Sequence, residues 1–476
     1  MKSRYFFIVL LGASLLISGT GCKKLVDVPP PVTELTGNNV FINNATAIAV
    51  LTGIYNSMSS GNSFAAGGNS ISVYAGLSAD ELLCTANNST NTLFYTNSLN
   101  SRQTNYGGSY QNIYQVNAAI AGLTSSTTLT PAVQQELIGE AKFLRALNYF
   151  YITNAIGDAP LALTNDYTIT DKLARAPQAQ VYQQIIADLT DAQKLLSKNY
   201  LMADVQTAYP ATIASQERVR PNYYAATALL ARVYLYTKDY QDAITQSSAI
   251  ISNTSYYSLA SLNNAFLKAS LGNPEAIWQL QPTYYYTPDG NFFVLTAPPT
   301  LSGVWLSNNL LNTFEPGDQR KVNWISSYTG GGQTYYFPYK YKVYTGTSSS
   351  PEYSMVLRLG EQYLIRAEAE AQLGQTGPAA TDLNVIRTRA GLPNTTANTQ
   401  NTLLGAILHE RQVELFTEWG HRWLDLKRTG NVNAVMGSPG NVCQQKGGTW
   451  SPNWALWPIP QSDILLDPAL IQNPGY

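Results

Sequence analysis

The two histidines, His409 and His421, are the first residues to test for catalytic or metal chemistry. They lie twelve residues apart in a stretch that is predicted to form one helix, which separates them by about 18 Å along its axis. They cannot share a metal ion unless that helix breaks. The run HERQV at 409–413 also lacks the second histidine of the HExxH zinc motif. Because the sequence has neither a G-x-S-x-G elbow nor a phosphate-binding G-x-x-x-x-G-K-[ST] loop, it predicts no metal site and no enzyme activity.

Charged residues are concentrated in the run ERQVELFTEWGHRWLDLKR at 410–428. Glu418 and Arg422 are spaced i, i+4, and Arg411 and Glu414 are spaced i, i+3, so each pair would share a helix turn. These groups could form an acid–base cluster. However, Arg411 falls on the predicted apolar face, where a buried guanidinium needs a carboxylate partner. We therefore predict an ion-pair network that joins this helix to its neighbours. A glycosidase needs two carboxylates about 5–9 Å apart, and nothing in the sequence marks such a pair.

Aromatic side chains are the remaining candidates for a binding site. A sugar has an apolar C–H face that an aromatic ring can cover, and hydroxyl groups that Asn, Gln or Asp can bind. Most of the 32 tyrosines follow helical periodicity and are predicted to pack in the core. The candidates lie where that periodicity is absent, and they are Tyr74, Tyr95, Tyr284, Tyr285, Tyr286 and Trp305. If residues 284–286 are extended, their rings cannot all face one ligand, because side chains alternate. The weaker candidates for hydroxyl partners are Asp80, Asn87 and Asn291.

The N-terminus has the pattern of an export signal. Two basic residues precede an apolar run at 5–17, which is shorter than the ~20 residues of a membrane-spanning helix. Small residues and Cys22 follow, as in a lipoprotein signal. We predict a signal peptide at 1–21, lipidation of Cys22 and a stiff proline-containing tether at 22–40. The alternative is ordinary secretion with a free thiol at Cys22.

Composition excludes several other classes. Charged residues make up 12% of the chain and the net charge is −1, so no basic patch is available for nucleic acid. The mature chain has no further apolar run long enough to span a membrane. Cys84 and Cys443 would lie in a compartment that permits a disulfide, but two distant cysteines do not establish one, and we expect free thiols. No ligand spacing suggests a metal site at either cysteine.

The stretch Arg358–Arg428 contains three successive helical patterns. Gly374 is predicted to end the first, and Gly391 with Pro393 the second. The apolar positions of the three faces are, in order, Leu364, Ala367 and Ala371; Ala379, Leu383, Ile386 and Ala390; and Leu404, Leu408, Leu415 and Trp419. Small alanines on the first two faces allow close helix axes, which favours a packed helical hairpin.

A similar hairpin is predicted earlier, at Asn222–Ser252. Its alanines match tetratricopeptide positions, since Ala231 and Ala243 are twelve residues apart, as are Ala367 and Ala379. The two hairpins are not in tandem. We therefore predict a mainly α fold of about four tetratricopeptide-like hairpins, interrupted by irregular, loop-rich insertions that contain a few short β-strands.

Other segments carry weaker patterns. Pro131 is predicted to open a long helix, and a second helix is predicted from about 178 to 196, with Asp188 and Asp191 on its solvated face. Residues 59–109 are predicted to be mostly ordered loop. In the insertion at 253–354, alternating aromatic residues around the glycines 330–332 indicate a short β-hairpin.

Seven segments, taken in this order, resemble the SusD/RagB family of nutrient-binding outer-membrane lipoproteins from Bacteroidetes. Any one of them alone would be a weak helix motif, and the seven together run from the lipidation site to the C-terminus. They are CKKLVDVPPPVTE, EAKFLRALNYFYITNAIGDAPL, RAPQAQVYQQIIADLTDAQKLL, RPNYYAATALLARVYLYTKDYQDAI, RLGEQYLIRAEAEAQLG, ERQVELFTEWGHRWLDLKR and WPIPQSDILLDPALIQNPGY.

The resemblance implies one SusD-like body at 41–476, with an N-terminal helical part at 41–252 and a C-terminal part at 253–476. It also implies a lipid-anchored protein that faces outward from the outer membrane. Such a protein binds nutrient glycans and delivers them to a SusC-like TonB-dependent transporter, without cofactor or bond chemistry. Ligand aromatics in the family tend to come from the two irregular regions. The resemblance does not decide whether a structural calcium ion is bound. It also leaves two alternatives for the function, a peptide ligand and a pure protein–protein adaptor that uses its helical hairpins.

Overall fold

A computed structural model describes residues 40–86, 89–102, 108–210, 212, 215–299, 303–437 and 442–476. The signal peptide, the lipidation site Cys22 and almost the whole predicted tether lie outside these residues. The α-helices are α1 (Asn44–Met58), α2 (Ile71–Ser78), α3 (Ser89–Tyr95), α4 (Ser109–Ser125), α5 (Pro131–Ile156), α6 (Tyr167–Thr170), α7 (Gln178–Leu195), α8 (Tyr223–Thr237), α9 (Tyr240–Ile251), α10 (Pro288–Phe293), α11 (Asn308–Leu311), α12 (Gln319–Asn323), α13 (Leu359–Gln372), α14 (Thr376–Arg389), α15 (Gln400–Glu414), α16 (His421–Arg428), α17 (Val432–Gly437), α18 (Val442–Gln445) and α19 (Gln461–Leu466).

The strands are short and pair in twos. They are β1 (Asn62–Ser63), β2 (Ala66–Gly67), β3 (Leu82–Cys84), β4 (Ala159–Pro160), β5 (Arg175–Ala176), β6 (Ala276–Leu280), β7 (Val304–Leu306), β8 (Ile325–Gly330), β9 (Gln333–Pro338) and β10 (Ser354–Arg358). All pairs among the described residues are antiparallel: β1–β2, β3–β7, β4–β5, β6–β10 and β8–β9. The predicted hairpin is confirmed as β8–β9. Gly331 and Gly332 have φ values of +62° and +79° at its turn, as a two-residue type I′ turn requires.

The long helices form one continuous stack. Helix α5 packs against α4 and α7, α7 against α8, α8 against α9, α9 against α13, and α13 against α14 and α15. The predicted fold class, a mainly α scaffold of tetratricopeptide-like hairpins with irregular insertions, is confirmed. The hairpins α8–α9 and α13–α14 are neighbours in space although residues 252–358 separate them in sequence. Buried apolar side chains from both hairpins, such as Ala231, Ala243 and Ala379, fill the contacts.

Several helix ends follow the local sequence as predicted. Pro131 is the first residue of α5, where a missing N–H costs nothing. Asn222 caps α8 by accepting from the backbone N–H groups of Tyr224 and Ala225. Gly374 and Gly391 follow α13 and α14 with φ values of +74° and +76°, a conformation that glycine adopts without a Cβ clash.

The single helix predicted across 404–428 is wrong, because the structure has two. Helix α15 ends at Glu414 and α16 begins at His421. Between them Trp419 and Gly420 have φ values of +48° and +71°, which no α-helix contains. The buried face of α15 is also shifted by one residue from the prediction, to Leu403 and Ile407.

The break has a tertiary cause. The Lys340 ammonium donates to the backbone oxygens of Glu414 and Phe416, each at 2.9 Å, and so binds carbonyl groups that the helix end leaves unpaired. The indole N–H of Trp419 donates to the Met355 oxygen at 2.7 Å. Both contacts come from segments distant in sequence, and they stabilise a turn that the helical pattern alone would continue.

Two further predictions need correction. The prediction that residues 59–109 are mostly ordered loop missed two helices, α2 and α3, which account for fifteen of these residues. All eight residues of α2 are buried, so its sequence lacks the polar–apolar period by which a surface helix is recognised. Asp188 is not on a solvated face; it is buried and binds the Arg145 guanidinium at 2.6 Å, and only Asp191 stays at the surface, next to Lys142.

The predicted ion-pair network is confirmed, with partners other than the helical neighbours. Arg358 contacts Glu275 at 2.9 Å, Glu414 at 2.5 Å and Glu418 at 2.8 Å, all of them buried. We call this set, together with Arg389, which binds Glu275 and Glu414, the central ion network. It joins β10, α14, α15 and the turn after α15.

Arg411 and Arg422 pair elsewhere. As predicted for a buried arginine, Arg411 has a carboxylate partner, Asp425, at 2.7 Å. Arg422 binds Asp80 at 2.7 Å. The predicted i, i+4 pair with Glu418 therefore does not form, since Arg422 connects α16 to the segment after α2. The Arg422–Asp80 pair is a long-range contact that joins the C-terminal part of the chain to its N-terminal part, whereas Arg411–Asp425 joins α15 to α16.

Cys84 and Cys443 are free thiols, as expected. In the described part of the chain, no helix has both the length and the apolar character needed to cross a membrane.

Glu136 on α5 lies in an unfavourable environment for a charge. Its Oε2 accepts from the Ser197 N–H at 2.8 Å, but burial, and then the neighbouring Glu140, raise its pKa to about 8. An unfolded glutamate ionises near pH 4.3. Between these values the folded protein keeps a proton that the unfolded chain has lost, so this group makes the fold less stable as pH rises from about 4 to about 8.

Replacing Glu136 with glutamine is therefore expected to stabilise the protein at pH 8, by on the order of 2 kcal/mol, and to change little at pH 4.5. Urea unfolding at the two pH values measures the difference. Asp204→Asn is a control of opposite sign, because hydrogen bonds from Thr207 lower the pKa of this exposed carboxyl. Equal effects of Glu136→Gln at both pH values would contradict the raised pKa.

Candidate ligand-binding site

Three consecutive tyrosines form an exposed turn before α10. Tyr284 and Tyr285 are 57% and 51% exposed. The rings of Tyr284 and Tyr286 stack with centroids 5.6 Å apart and planes 8° from parallel. Tyr285 lies close to Gly346, where an added Cβ would be 3.0 Å from the Tyr285 Cβ. The stacked rings of Tyr284 and Tyr286 thus lie on one side of the turn.

The body of the protein holds this tyrosine turn in place through α10. Thr287 caps the helix by accepting from a backbone N–H of its first turn. The Asp289 carboxylate accepts from the Gly67 N–H at 2.7 Å, and burial raises the pKa of Asp289 to about 6. The Asn291 amide donates to the Tyr344 oxygen at 2.9 Å. The turn is therefore positioned from two distant segments of the chain.

Trp305 lies at the centre of β7. Its neighbours Val304 and Leu306 point into the core, so alternation directs the Trp305 indole to the opposite face, where it is half-buried. Leu83 of β3 is its partner across the strand pair. The Tyr335 ring of β9 contacts the indole edge-to-face, with centroids 5.3 Å apart and planes at 87°. The two rings form an aromatic surface in which Tyr335 contacts the Trp305 indole from one side and limits its movement.

Tyr95 lies near the same pair of strands. Burial raises the pKa of Tyr95, and Cys84, the β3 residue opposite Val304, raises it further. The ammonium group of Lys446 is 5.1 Å from the centre of the Tyr95 ring. Because β3 pairs with β7, the structure brings Tyr95 and Trp305 to one two-stranded ribbon.

Tyr74 has the surroundings of a packing residue. Its ring stacks on Phe94 with centroids 4.1 Å apart, and its hydroxyl hydrogen-bonds Asn69 at 3.0 Å. Burial raises the pKa of Tyr74 to about 12. The cavity beside it holds about 30 Å³, which is the volume of one water molecule and is far too small for a sugar ring.

The candidate hydroxyl partners differ in availability. Both carboxylate oxygens of Asp80 accept from Arg422, at 2.8 and 2.7 Å, so the group is occupied by an ion pair. Asn87 lies outside the described residues. The side chain of Asn291 is exposed next to the tyrosine turn, and it is the one of the three whose position suits a surface ligand.

Glu315, His409 and Glu410 are the described residues whose ligand atoms come close enough for a metal ion, all within 4.8 Å of one another. The guanidinium of Arg387, however, lies 2.6 Å from Glu315 and 3.2 Å from Glu410. His409 Nε2 hydrogen-bonds the Thr313 oxygen at 2.8 Å. The carboxylates are therefore already neutralised by an arginine in the place where a cation would bind.

Strongly shifted acids and bases often mark catalytic sites, and Glu81 and His421 are examples of such groups. Burial, and then Asp80, raise the pKa of Glu81 to about 8. Burial lowers the pKa of His421 well below its ordinary value, so the ring is neutral. Both side chains are enclosed by protein, and neither can reach a substrate. We call the surface that carries the tyrosine turn (284–286) and the Trp305–Tyr335 pair the irregular face. Its uncharged rings and amides are suited to binding a neutral ligand.

Tyr335 and Tyr336 were not among the site residues predicted from the sequence. Both lie on β9, where Tyr336 is exposed and Tyr335 braces Trp305. The alternating aromatics of the predicted hairpin were a signal that some rings face outward. The packing of β9 against β7 is a contact between strands far apart in sequence, and no local pattern marks it.

Comparison with known proteins gives matches over nearly the whole chain. Residues 172–476 match the SusD family. Residues 32–235 match a SusD-like family described as starch-binding and associating with the outer membrane. The chain is 24% identical to SusD-like protein P25 of Formosa agariphila over 437 residues, covering 77% of this chain and 78% of that protein.

Solved structures share the fold. A laminarin-binding SusD-like protein superposes with a TM-score of 0.73 at 23% identity, covering 90% of this chain and 99% of that one. Surface glycan-binding protein A from Bacteroides uniformis has a TM-score of 0.74 at 19% identity, with coverages of 90% and 98%. At these identities the similarity establishes the architecture, and these relatives are described as binding proteins.

Proposed function

Because the chain belongs to the SusD family, we propose that it captures nutrient glycans at the outer surface of the outer membrane and delivers them to a SusC-like TonB-dependent transporter. The capture involves no bond chemistry and no cofactor. Lipidation at Cys22 would anchor the protein, and residues 23–40 would hold its body above the membrane. The laminarin-binding SusD-like protein and surface glycan-binding protein A, which share the fold, support a sugar ligand.

The observation that carries this proposal is the chemistry of the irregular face. It presents the tyrosine turn and the Trp305–Tyr335 pair as exposed or half-exposed rings that are held by the fold. Rings held in place lose little conformational freedom when a sugar stacks on them, so more of the contact energy becomes affinity. The rings carry no charge, which suits a neutral glycan better than an ionic ligand. We propose Tyr284, Tyr286 and Trp305 as stacking residues. Tyr285 and Tyr95 would make secondary contacts with the ligand, and Tyr74 would support the site through its packing on Phe94.

The test is a ligand panel with the chain that starts at Lys23. Native gels containing single polysaccharides measure retardation, and calorimetry measures affinity for the oligosaccharides of any positive polysaccharide. We expect at least one neutral glycan to retard the protein, with a Kd in the range of about 1 μM to 1 mM. Binding of peptides without glycans would move the proposal to a peptide-binding member of the family. Absence of both, with recovery of the transporter in a pull-down, would favour a protein–protein adaptor.

A further inference from the structure

An open apolar groove of about 360 Å³ lies between α4, the segment 160–173 and the C-terminal α19. Ile113, Pro160, Leu173 and Leu470 contribute apolar surface to it, and Tyr114 of α4 lies along it. It shares no residue with the tyrosine turn or the Trp305–Tyr335 pair. It is therefore a separate feature of the surface, distinct from the proposed glycan site.

Exposed apolar side chains cluster around this groove. Of the fourteen large hydrophobic residues that are exposed in the described part of the chain, seven belong to this region: Tyr114 and Leu466 line the groove, and the other five lie in or next to the segments that form it. These five are Leu163, Tyr167, Ile169, Leu465 and Ile471. Leu466 is 82% exposed and Leu465 75%. Single exposed hydrophobics are ordinary, but a cluster beside a groove marks an interaction surface.

The rim of the groove is acidic. Asp166 and Asp171 flank α6 on one side, and Asp463 and Asp467 lie on the other side, where they contribute to the groove itself. Lys172 is the one basic residue in the segment 160–173. A ligand that enters the groove therefore meets an apolar floor with carboxylates at both edges.

This charge pattern selects among the molecules that would cover an apolar surface. An anionic lipid surface attracts basic residues and would be repelled by the acidic rim. A second copy of the chain, related by a two-fold axis, would bring the same carboxylates together across the interface. The chain's own Lys23-Lys24-Leu25-Val26 has suitable chemistry, but lipidation of Cys22 would hold it at the membrane. A basic partner segment avoids each of these conflicts.

We propose that the groove docks a segment of a partner protein that carries apolar side chains flanked by lysine or arginine. Its apolar side chains enter between α4 and α19, and its basic residues pair with the four rim aspartates. The proposal does not depend on glycan capture, because the two surfaces have no residue in common. If the docking test fails, the proposal of glycan capture is unaffected, and if no glycan binds, the docking proposal is unaffected.

The test uses a fluorescent 15-residue peptide with leucines at i, i+3, i+4 and i+7 and lysines on its other face, titrated with the chain from Lys23. We expect saturable binding with a Kd of about 10–100 μM that weakens with added salt. Leu466→Asp is expected to weaken it at least about tenfold, with an unchanged melting curve because this side chain is solvent-exposed. Leu373→Asp is the matched control, since Leu373 is also exposed but directly follows α13, away from the groove, and it is expected to bind normally.

A peptide with glutamates in place of the lysines is expected to bind at least about tenfold more weakly. Equal binding of the two peptides, equal loss in Leu373→Asp, or no binding would overturn the proposal.

Other occupants of the groove would give different results. Binding to phosphatidylglycerol vesicles that Leu466→Asp abolishes would indicate a lipid surface, and a dimer in sedimentation that it abolishes would indicate a second copy. Tighter peptide binding by Lys23→Glu/Lys24→Glu would indicate the chain's own N-terminal segment. Each of these three results would also overturn the proposal.

Discussion

Replacing Arg358 with methionine is expected to lower the free energy of unfolding by about 3–5 kcal/mol, because it leaves buried carboxylates without their main counter-charge. Arg358 contacts Glu275, Glu414 and Glu418 at 2.5–2.9 Å, and all four side chains are buried. Methionine has a similar length and needs no polar partner, so the change removes charge with little change in volume. Urea unfolding at pH 7 measures the loss.

The pH dependence of this loss tests its cause. Burial alone would raise the pKa of Glu414, but Arg389 and Arg358 outweigh it and hold that pKa well below its ordinary value. In the native protein this depressed pKa contributes stability above the unfolded pKa, and the contribution is lost as pH falls through the folded pKa. Without Arg358 the depression is smaller, so the deficit of Arg358→Met should be constant near neutral pH and should shrink as pH falls below about 4.3, the pKa of an unfolded glutamate.

The control is Lys194→Met, which removes a cation from an exposed pair. Lys194 is 3.2 Å from Asp191, and both side chains are largely solvated, so the expected change is below about 0.5 kcal/mol. If Arg358→Met cost no more than this control, the central ion network would have no role in holding the C-terminal helices together. If its deficit did not shrink below about pH 4.3, the loss would come from packing and not from charge.

The sequence predicts those parts of the fold whose causes are local. Pro131 and Gly374 mark a helix start and a helix end through their own backbone preferences. The alanine spacings predict two hairpins because helical periodicity records which face each helix buries. The position of Arg411 on an apolar face predicts a carboxylate partner, since a buried guanidinium requires one.

The parts that could not be predicted depend on contacts between distant segments. The turn after α15 forms because Lys340, which is 74 residues from Glu414 in sequence, binds carbonyl oxygens there. The all-buried α2 has no polar face to reveal its period. The candidate aromatic residues were selected because they lie where helical periodicity is absent. The sequence did not predict which of them lie close together in the fold. The β3–β7 pairing that places Trp305 and Cys84 on one ribbon, and the β7–β9 packing that adds Tyr335, have no local signal.

Trp305→Ala is expected to weaken binding of whichever glycan the panel identifies by about 10–30-fold, or ~1.4–2 kcal/mol. The indole is half-buried and braced by Tyr335, so it presents a large apolar area at small entropic cost. Calorimetry with the same oligosaccharide measures the change. Trp305→Phe keeps part of the ring area and should recover part of the affinity, whereas a purely structural role would show as a lowered melting temperature in both variants.

A matched control separates the proposed stacking surface from aromatic residues in general. Tyr223 begins α8 in the helical stack and is also partly exposed, so Tyr223→Ala should bind glycan as the unmodified chain does. Tyr284→Ala should weaken binding more than Tyr285→Ala if the ligand lies on the side shared by Tyr284 and Tyr286. Normal affinity in Trp305→Ala together with a loss in Tyr284→Ala would move the site to the tyrosine turn. Normal affinity in both would leave glycan capture in place but remove it from this face, because no ring proposed for stacking would then contribute to the binding energy.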